Sequence, residues 1–353
     1  MDNIRLTIRA EDADEKALSK FIGDLQRLKD LPSGTLDIDR RAPTTFILKI
    51  GFPLAVFDRS VGQFLAVLFG EIPFMRAFGC ARFEDLELPA EVYEWFRGPA
   101  FGATAVLERF GAAEPPLLVA ILKPSLDFDL TLEGLENRIA EPVNGGFHAA
   151  KDDEMQGDFL NLPLQARLQL ASRNRRYIPA LNLDKLGDIQ DVLQQPELGM
   201  VMLNGTILGF PALNELRKST KVPILSHLSM HGVYATCFSH RLYAQLHRLF
   251  GCDAFISPIG DNHYYRVSQE EEKEIVCALT RDLPIAKTLP LLTGGGSMEN
   301  LGRIMGPYET AGIPYGIVLG GLIFNSEKKP TEMARAVLQI VAQVKAGNSR
   351  STQ

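Results

Sequence analysis

Four consecutive charged residues, Lys151 to Glu154, follow a short apolar stretch. The stretch is typical of a strand, and side chains alternate between the two faces of a strand. Lys151 and Asp153 should therefore point the same way, with Glu154 where the strand opens into a loop. Ionisable groups at the end of a buried strand are costly unless their charge is compensated. Mg²⁺ would compensate it, because this ion prefers oxygen ligands and often binds one or two carboxylates together with substrate.

Lys151 is the unusual member of this group, because an ammonium repels a cation. It becomes a ligand only if its charge is removed, for example as a carbamate formed with CO2. The alternative interpretation is a buried cluster of salt bridges without a metal ion. The spacing of the residues leaves both interpretations open.

Composition excludes several other classes of protein. The chain has 353 residues, 46% of them hydrophobic, which is enough for a large core and predicts two domains. A net charge of -6 argues against nucleic acid or an anionic membrane surface as the main partner. We find no apolar run of about 18 residues, no signal-peptide pattern at the start and no paired cysteine motif. We therefore expect a reduced, cytoplasmic protein.

Residues 1–97 predict a small leading domain. Strands are expected at 3–9, 44–52 and 74–88, and amphipathic helices at 15–28 and 60–70. Strands and helices without regular alternation indicate an α+β unit, for which we expect a ferredoxin-like arrangement.

Residues 98–353 predict a (β/α)8 TIM barrel with a C-terminal helix, which makes the whole chain an α/β protein. Eight strand–helix units follow one another over about 230 residues, which is the usual size of this fold. A doubly wound open sheet is the alternative, but it rarely needs eight strictly alternating units. The predicted strands are 117–124, 146–154, 177–184, 200–205, 222–228, 254–259, 289–293 and 315–319.

Barrel enzymes carry their chemistry at the carboxyl ends of the strands. Polar residues or glycines stand at these ends in the predicted barrel: Lys123, Lys151, Asp153, Glu154, Asn182, Asp184, Asn204, His227, Thr293, Gly294, Gly295, Gly320 and Gly321. Backbone N–H groups of glycine turns can approach an anion closely. Paired glycines after the last two strands are the usual phosphate site of such barrels, so they predict phosphate binding.

With these residues in place, the sequence resembles the large subunit of ribulose-1,5-bisphosphate carboxylase/oxygenase (RuBisCO). The resemblance extends from about residue 52 to residue 324. It rests on the strand ending Lys151-Asp152-Asp153-Glu154, on Leu122-Lys123-Pro124, on Arg82-Phe83-Glu84-Asp85-Leu86, on Phe96-Arg97-Gly98-Pro99 and on Ser226-His227-Leu228-Ser229-Met230-His231-Gly232.

The resemblance implies a set of roles. Carbamylated Lys151 would bind Mg²⁺ with Asp153 and Glu154 and would also serve as the base for enolisation. Lys123 would assist proton transfer, and His227 would face the substrate. The phosphate group would bind at Thr293, Gly294, Gly295, Gly320 and Gly321. The family also implies a homodimer whose active sites lie between subunits.

Departures from the family pattern predict a non-carboxylating, form IV relative. The loop after the sixth strand, residues 260–266, lacks the lysine that carboxylation needs. Leu228 and Ile256 stand where the family binds its second phosphate with an arginine and a histidine. We therefore expect Mg²⁺-dependent enolisation, isomerisation or decarboxylation of a singly phosphorylated keto sugar.

Relatives of this type act on methylthio-sugar phosphates in methionine salvage or on oxo-isoapionate phosphate. His263 is a further candidate catalytic residue, and Asn204 and Arg266 are candidate substrate contacts. Two alternatives stay open: a catalytically retired regulator that binds a sugar phosphate, and an unrelated aldolase that forms a Schiff base on Lys123 or Lys151.

Overall fold

The first strand shows how the sequence determines the small sheet. Residues 3–11 bury every second side chain, including Ile4, Leu6 and Ile8, as expected for a sheet covered on one face. The computed structural model describes residues 3–13, 15–28, 36–72, 79–159, 161–262, 264–293 and 297–351. Further apolar residues of the leading region, among them Phe64 of the second helix, are buried in the same core cluster.

The leading region is a four-stranded antiparallel sheet with two main helices. Its strands are β1 (Asn3–Glu11), β2 (Leu36–Ala42), β3 (Thr45–Pro53) and β4 (Cys80–Glu87). Its helices are α1 (Glu15–Leu28), α2 (Val61–Phe69) and the short α3 (Val92–Trp95) after the sheet. Helix α4 (Gly102–Arg109) follows and packs with residues of the barrel strands. The strand order β2-β3-β1-β4 confirms the ferredoxin-like prediction.

Strand β2 was missed by the sequence argument. It is an edge strand that pairs with β3, and most of its side chains are exposed, so the apolar alternation that reveals a strand is weak there. The predicted strand 74–88 is observed as β4, and residues 73–78 lie outside the described residues.

The rest of the described chain forms the predicted barrel. Its strands are β5 (Leu117–Ile121), β6 (Ala149–Lys151), β7 (Tyr177–Ile178), β8 (Val201–Leu203), β9 (Ile224–Ser226), β10 (Ala254–Pro258), β11 (Leu289–Thr293) and β12 (Gly316–Leu319). Its helices are α5 (Leu132–Asn144), α6 (Leu164–Arg173), α7 (Leu186–Leu193), α8 (Gly205–Leu208), α9 (Phe210–Ser219), α10 (His231–Tyr234), α11 (His240–Leu249), α12 (Gln269–Thr280), α13 (Leu301–Ala311), α14 (Gly321–Phe324) and α15 (Pro330–Ser351).

The barrel closes on itself in the order β7-β6-β5-β12-β11-β10-β9-β8, with every pairing parallel. A single bridge between Ala180 and Met202 joins the two outer strands of that order. The eight-unit prediction is therefore confirmed. Strand β6 is shorter than predicted: it ends at Lys151 and leaves the three acidic residues of the motif, Asp152, Asp153 and Glu154, on the loop.

Apolar side chains fill the barrel interior. Residues from all eight strands form one buried cluster there: Leu117, Val119, Ala149, Ile178, Met202, Leu225, Ala254, Ile256, Leu289, Leu291 and Val318. Lys151 lies two residues after Ala149, so its side chain also points inward, above this packed layer.

The small sheet is attached to the barrel by backbone contacts. The Phe83 amide donates to the Cys237 carbonyl at 2.7 Å, and the Ser239 amide donates to the Phe83 carbonyl at 2.8 Å. These contacts join β4 to the loop that enters α11. The predicted domain division between residues 97 and 98 stays a prediction. Among the described helices we find none long and apolar enough to cross a membrane.

Candidate active site

A cavity of about 890 Å³ opens at the carboxyl ends of the barrel strands. Eight of the predicted site residues line it: Lys123, Lys151, Asp153, Glu154, His227, Thr293, Gly320 and Gly321. These residues come from five different strand ends, and the closed barrel brings them together.

Two other predicted residues that the structure describes, Asn204 and Arg266, are not among the side chains that line this cavity. Asn204 lies beside the cavity, behind the Glu154 loop, and Arg266 is exposed on the loop after β10. His263, Gly294 and Gly295 lie outside the described residues, so their roles stay predictions.

Lys151 is completely buried at the floor of the cavity. Its Nζ donates hydrogen bonds to the Asp152 carbonyl oxygen at 2.8 Å and to Met202 Sδ at 3.4 Å. Burial lowers the pKa of Lys151 to about 8, although the nearby acidic residues counteract this. A fraction of the amine is therefore uncharged near neutral pH, and the uncharged amine is the form that reacts with CO2.

Asp152 points away from the cavity and braces the loop. Its carboxylate accepts hydrogen bonds from Arg167 Nη1 at 2.5 Å, the Tyr177 hydroxyl at 2.7 Å and the Ala180 amide at 3.0 Å. The sequence alone does not reveal this role of Asp152. Because side chains alternate, Lys151 and Asp153 point into the cavity and Asp152 points to the opposite face. The alternation therefore indicates that the Asp152 carboxylate needs hydrogen-bond donors on that face.

Asp153 is paired with Lys123 across the cavity floor. Lys123 Nζ lies 2.6 Å from Asp153 Oδ2 and 2.6 Å from Ser125 Oγ. Burial opposes ionisation of Asp153, but the hydrogen bond and charge of Lys123 outweigh it, so the pKa of Asp153 lies below its ordinary value. Asp153 is therefore an anion in direct contact with a cation.

The pKa of Glu154 is shifted in the opposite direction to that of Asp153. Burial, together with the charge of Asp153, raises the pKa of Glu154. His227 Nε2 lies 3.3 Å from Glu154 Oε2, and His227 Nδ1 lies 2.8 Å from Ser229 Oγ. Burial and the charge of Lys151 lower the pKa of His227 to about 3, so the ring is neutral at physiological pH.

A chain of amide hydrogen bonds supports the Glu154 loop from behind. Ser229 Oγ donates to Asn204 Oδ1 at 2.9 Å, and Asn204 Nδ2 donates to Asn182 Oδ1 at 2.7 Å. Asn182 Nδ2 in turn donates to the carbonyl oxygens of Glu154 and Gln156 at 2.7 and 2.9 Å. Asn182 and Asn204 therefore hold the acidic loop in place.

The edge of the cavity at β12 leaves little room for a side chain at Gly320. A Cβ added to Gly320 would lie 3.2 Å from Ile121 Cβ and 3.3 Å from Lys123 Cε. Thr293, at the end of β11, and Gly321, at the start of α14, line the same edge. This edge is therefore open to a ligand that approaches the backbone closely.

The donor set fits a magnesium ion if Lys151 takes part. Among the described residues, no three His, Cys, Asp or Glu side chains converge as a metal site without help. Asp153 and Glu154 supply two carboxylates whose mutual repulsion a divalent cation would relieve. A carbamate on Lys151 would add the third oxygen donor, which matches the oxygen preference of Mg²⁺.

Comparison with known proteins agrees with this geometry. No protein-family model matches the chain. A RuBisCO-like protein of Allochromatium vinosum is 26% identical over 328 residues, which cover 87% of this chain and 71% of that protein. The crystal structure of a RuBisCO-like protein from Alicyclobacillus acidocaldarius superposes with a TM-score of 0.82 at 23% identity, covering 98% of this chain and 95% of that one.

The chain belongs to the RuBisCO superfamily, as a RuBisCO-like protein. Another relative of this RuBisCO-like protein is the 2,3-diketo-5-methylthiopentyl-1-phosphate enolase of Geobacillus kaustophilus. It is 30% identical over 273 residues, which cover 70% of this chain and 64% of the enolase. The relatives therefore include an enzyme whose name describes enolisation of a singly phosphorylated keto compound.

Proposed function

We propose that this RuBisCO-like protein is a Mg²⁺-dependent enzyme that enolises or isomerises a singly phosphorylated keto sugar. The observation that carries the proposal is the convergence of Lys123, Lys151, Asp153 and Glu154 on one cavity. A protein that merely binds a sugar phosphate has no need to bury a lysine among acidic groups, because such burial is costly.

Lys151, as its carbamate, and the carboxylates of Asp153 and Glu154 would hold the metal ion. When bound, Mg²⁺ supplies Lewis-acid polarisation of a carbonyl group. Asn182 orients the loop that carries Glu154, and neutral His227 contacts the Glu154 carboxylate.

Lys123 would act as the general acid, while Lys151, as its carbamate, would be the base that accepts the carbon-bound proton. Lys123 Nζ contacts Asp153 Oδ2 and Ser125 Oγ, and the Lys123 side chain lines the cavity. From there Nζ can deliver a proton to a substrate atom and receive it back, which is general acid–base chemistry. Thr293, Gly320 and Gly321 would bind the phosphate group at the far edge.

Two features favour a reaction other than carboxylation. The described part of the loop after β10 carries Tyr264 and Tyr265 and no lysine. Leu228 and Ile256 line the cavity where a second phosphate would need cationic or polar partners. An apolar wall cannot compensate a phosphate dianion, so the substrate should carry one phosphate and an uncharged distal end.

We also propose that the protein acts as a homodimer whose partner covers the mouth of the barrel. Nearly all exposed large apolar side chains among the described residues lie on the loops and helix starts or short helices that follow barrel strands: Leu126, Phe128, Met155, Leu186, Ile207, Met230, Val233 and Tyr264. Such a patch on a water-facing surface marks an interface. Phe128→Glu and Val233→Glu together should shift the molecular mass measured by light scattering from dimer to monomer, whereas Ile38→Glu, away from the mouth, should not.

Solvent deuterium exchange followed by NMR tests the proposed reaction. Candidate keto-sugar phosphates are incubated in D2O with the protein, Mg²⁺ and bicarbonate, and with EDTA as the control. We expect metal- and bicarbonate-dependent exchange of a carbon-bound proton, abolished in Lys151→Ala and retained in the surface variant Lys218→Ala. Absence of exchange across the panel, with binding of the sugar phosphate intact, would instead favour a regulator that binds without turnover.

A further inference from the structure

The loop after β10 places a phenol over the reaction centre. Tyr265 is half-buried and lines the cavity together with Asp153 and Glu154. Its side chain packs against a small buried core cluster behind the cavity wall, of which Tyr243 and Phe255 are members. The ring is therefore anchored on one side and faces the acidic groups on the other.

Backbone contacts join the two ends of this loop, residues 260–261 and 267–268. The Asp261 amide donates to the Val267 carbonyl at 2.8 Å, and a Cβ on Gly260 would lie 2.5 Å from the Ser268 carbonyl oxygen. Within the loop, Asn262 Oδ1 accepts the Tyr265 amide at 2.9 Å. The position of Tyr265 is thus determined by the loop itself and does not depend on a ligand.

The hydroxyl of Tyr265 differs in its hydrogen bonding from those of other tyrosines in the described residues. Four buried tyrosines bind within the fold through their hydroxyls, as Tyr177 does to Asp152 and Tyr315 does to Glu309. We find no hydrogen-bond partner for the Tyr265 hydroxyl in the part of the chain that the structure describes. Burial and the charge of Glu154 raise the pKa of Tyr265, so the group stays protonated and able to donate.

We propose that Tyr265 is a substrate-contacting residue whose hydroxyl donates a hydrogen bond to a substrate oxygen held beside Asp153 and Glu154. A fixed donor aimed at an oxygen that gains negative charge on enolisation stabilises that charge without having to reorganise. Tyr265 thereby gives the loop after β10 a neutral donor, and selects substrates that present an oxygen at this point.

The inference rests on the proposed function. Oxalate binding tests the two separately: binding by the wild type tests the metal site, and binding by Tyr265→Phe tests the role of Tyr265. Oxalate is a planar dianion with two adjacent oxygens, like the enediolate that enolisation produces. Its affinity is measured by titration calorimetry with Mg²⁺ and bicarbonate, for the wild type, Tyr265→Phe and Tyr234→Phe. Tyr234 is the matched control because its ring packs against the same cluster but does not line the cavity.

We expect the wild type to bind oxalate only with Mg²⁺ present, and Tyr265→Phe to bind it about tenfold more weakly, since a hydrogen bond to a charged group is lost. Tyr234→Phe should match the wild type, and thermal unfolding should show that both variants fold. Equal affinity of Tyr265→Phe and wild type would overturn the role of Tyr265 alone. Failure of the wild type to bind oxalate with Mg²⁺ would overturn the metal site and, with it, this inference.

Discussion

Replacing Lys151 by methionine should stabilise the folded protein near neutral pH while abolishing its activity. Burial lowers the pKa of Lys151 from 10.5 to about 8. At about 1.4 kcal/mol for each pKa unit, keeping this lysine protonated in the fold costs about 3 kcal/mol. Methionine has a similar shape and no charge, but it loses the hydrogen bond to the Asp152 carbonyl, worth about 1 kcal/mol. We expect a net gain of about 2 kcal/mol in the free energy of unfolding.

The pH dependence identifies the cause of this gain. Below about pH 8 the lysine is protonated in both the folded and the unfolded state, so the full cost is present. As the pH rises from about 8 towards 10.5, the folded-state lysine is already neutral and the cost disappears. The advantage of the methionine variant should therefore be largest near about pH 7 and small near about pH 10.

Urea unfolding followed by circular dichroism measures this difference, in CO2-free buffer with EDTA so that the lysine stays unmodified. Lys123→Met is the matched control: it removes a partly exposed lysine that forms an ion pair with Asp153, so it should bring no gain. A Lys151→Met variant that is less stable than the wild type near neutral pH, or whose advantage does not change with pH, would refute the reasoning.

Three further predictions concern the groups around Lys151. Arg167→Met should lower the free energy of unfolding by about 3 kcal/mol or more, because it leaves the buried Asp152 carboxylate without its cation. Urea titration measures this difference. An unchanged free energy of unfolding would contradict a stabilising role of the Arg167–Asp152 ion pair. Formation of a carbamate on Lys151, followed by ¹³C NMR with labelled bicarbonate, should increase as the pH rises through about 8, because only the neutral amine reacts; a flat profile would argue against it. Lys123→Met should slow proton exchange of a substrate by about a hundredfold or more while leaving inorganic phosphate binding unchanged, and parallel loss of both would indicate a structural role instead.

Much of the fold was predictable because the signals are local. Apolar stretches of strand length, each followed by a helical pattern, indicated eight units, and the structure has eight parallel strands in its described residues. Strand β2 was missed because an exposed edge strand carries little apolar pattern. The end of β6 was placed too late, because a run of charged residues does not reveal where pairing with β5 and β7 stops.

The residue types of the candidate site were predictable from the sequence, but their ion pairs and protonation states were not. A lysine and two acidic residues at a strand end indicated a metal site from residue type alone. That Asp153 pairs with Lys123, 30 positions away in the chain, depends on β5 and β6 lying side by side. The neutral state of His227 depends in the same way on how deeply the barrel buries it.

The sequence by itself determined which groups are available, since residue types and their spacing define the possible ligands, bases and phosphate contacts. The tertiary structure alone decided what those groups are paired with. It paired Asp152 with Arg167, placed the side chain of Tyr265 beside the acidic loop, and buried Lys151 deeply enough to lower its pKa. The physical reason is that charge state and hydrogen bonding depend on distance and on exclusion of water, and both arise only when distant segments pack together.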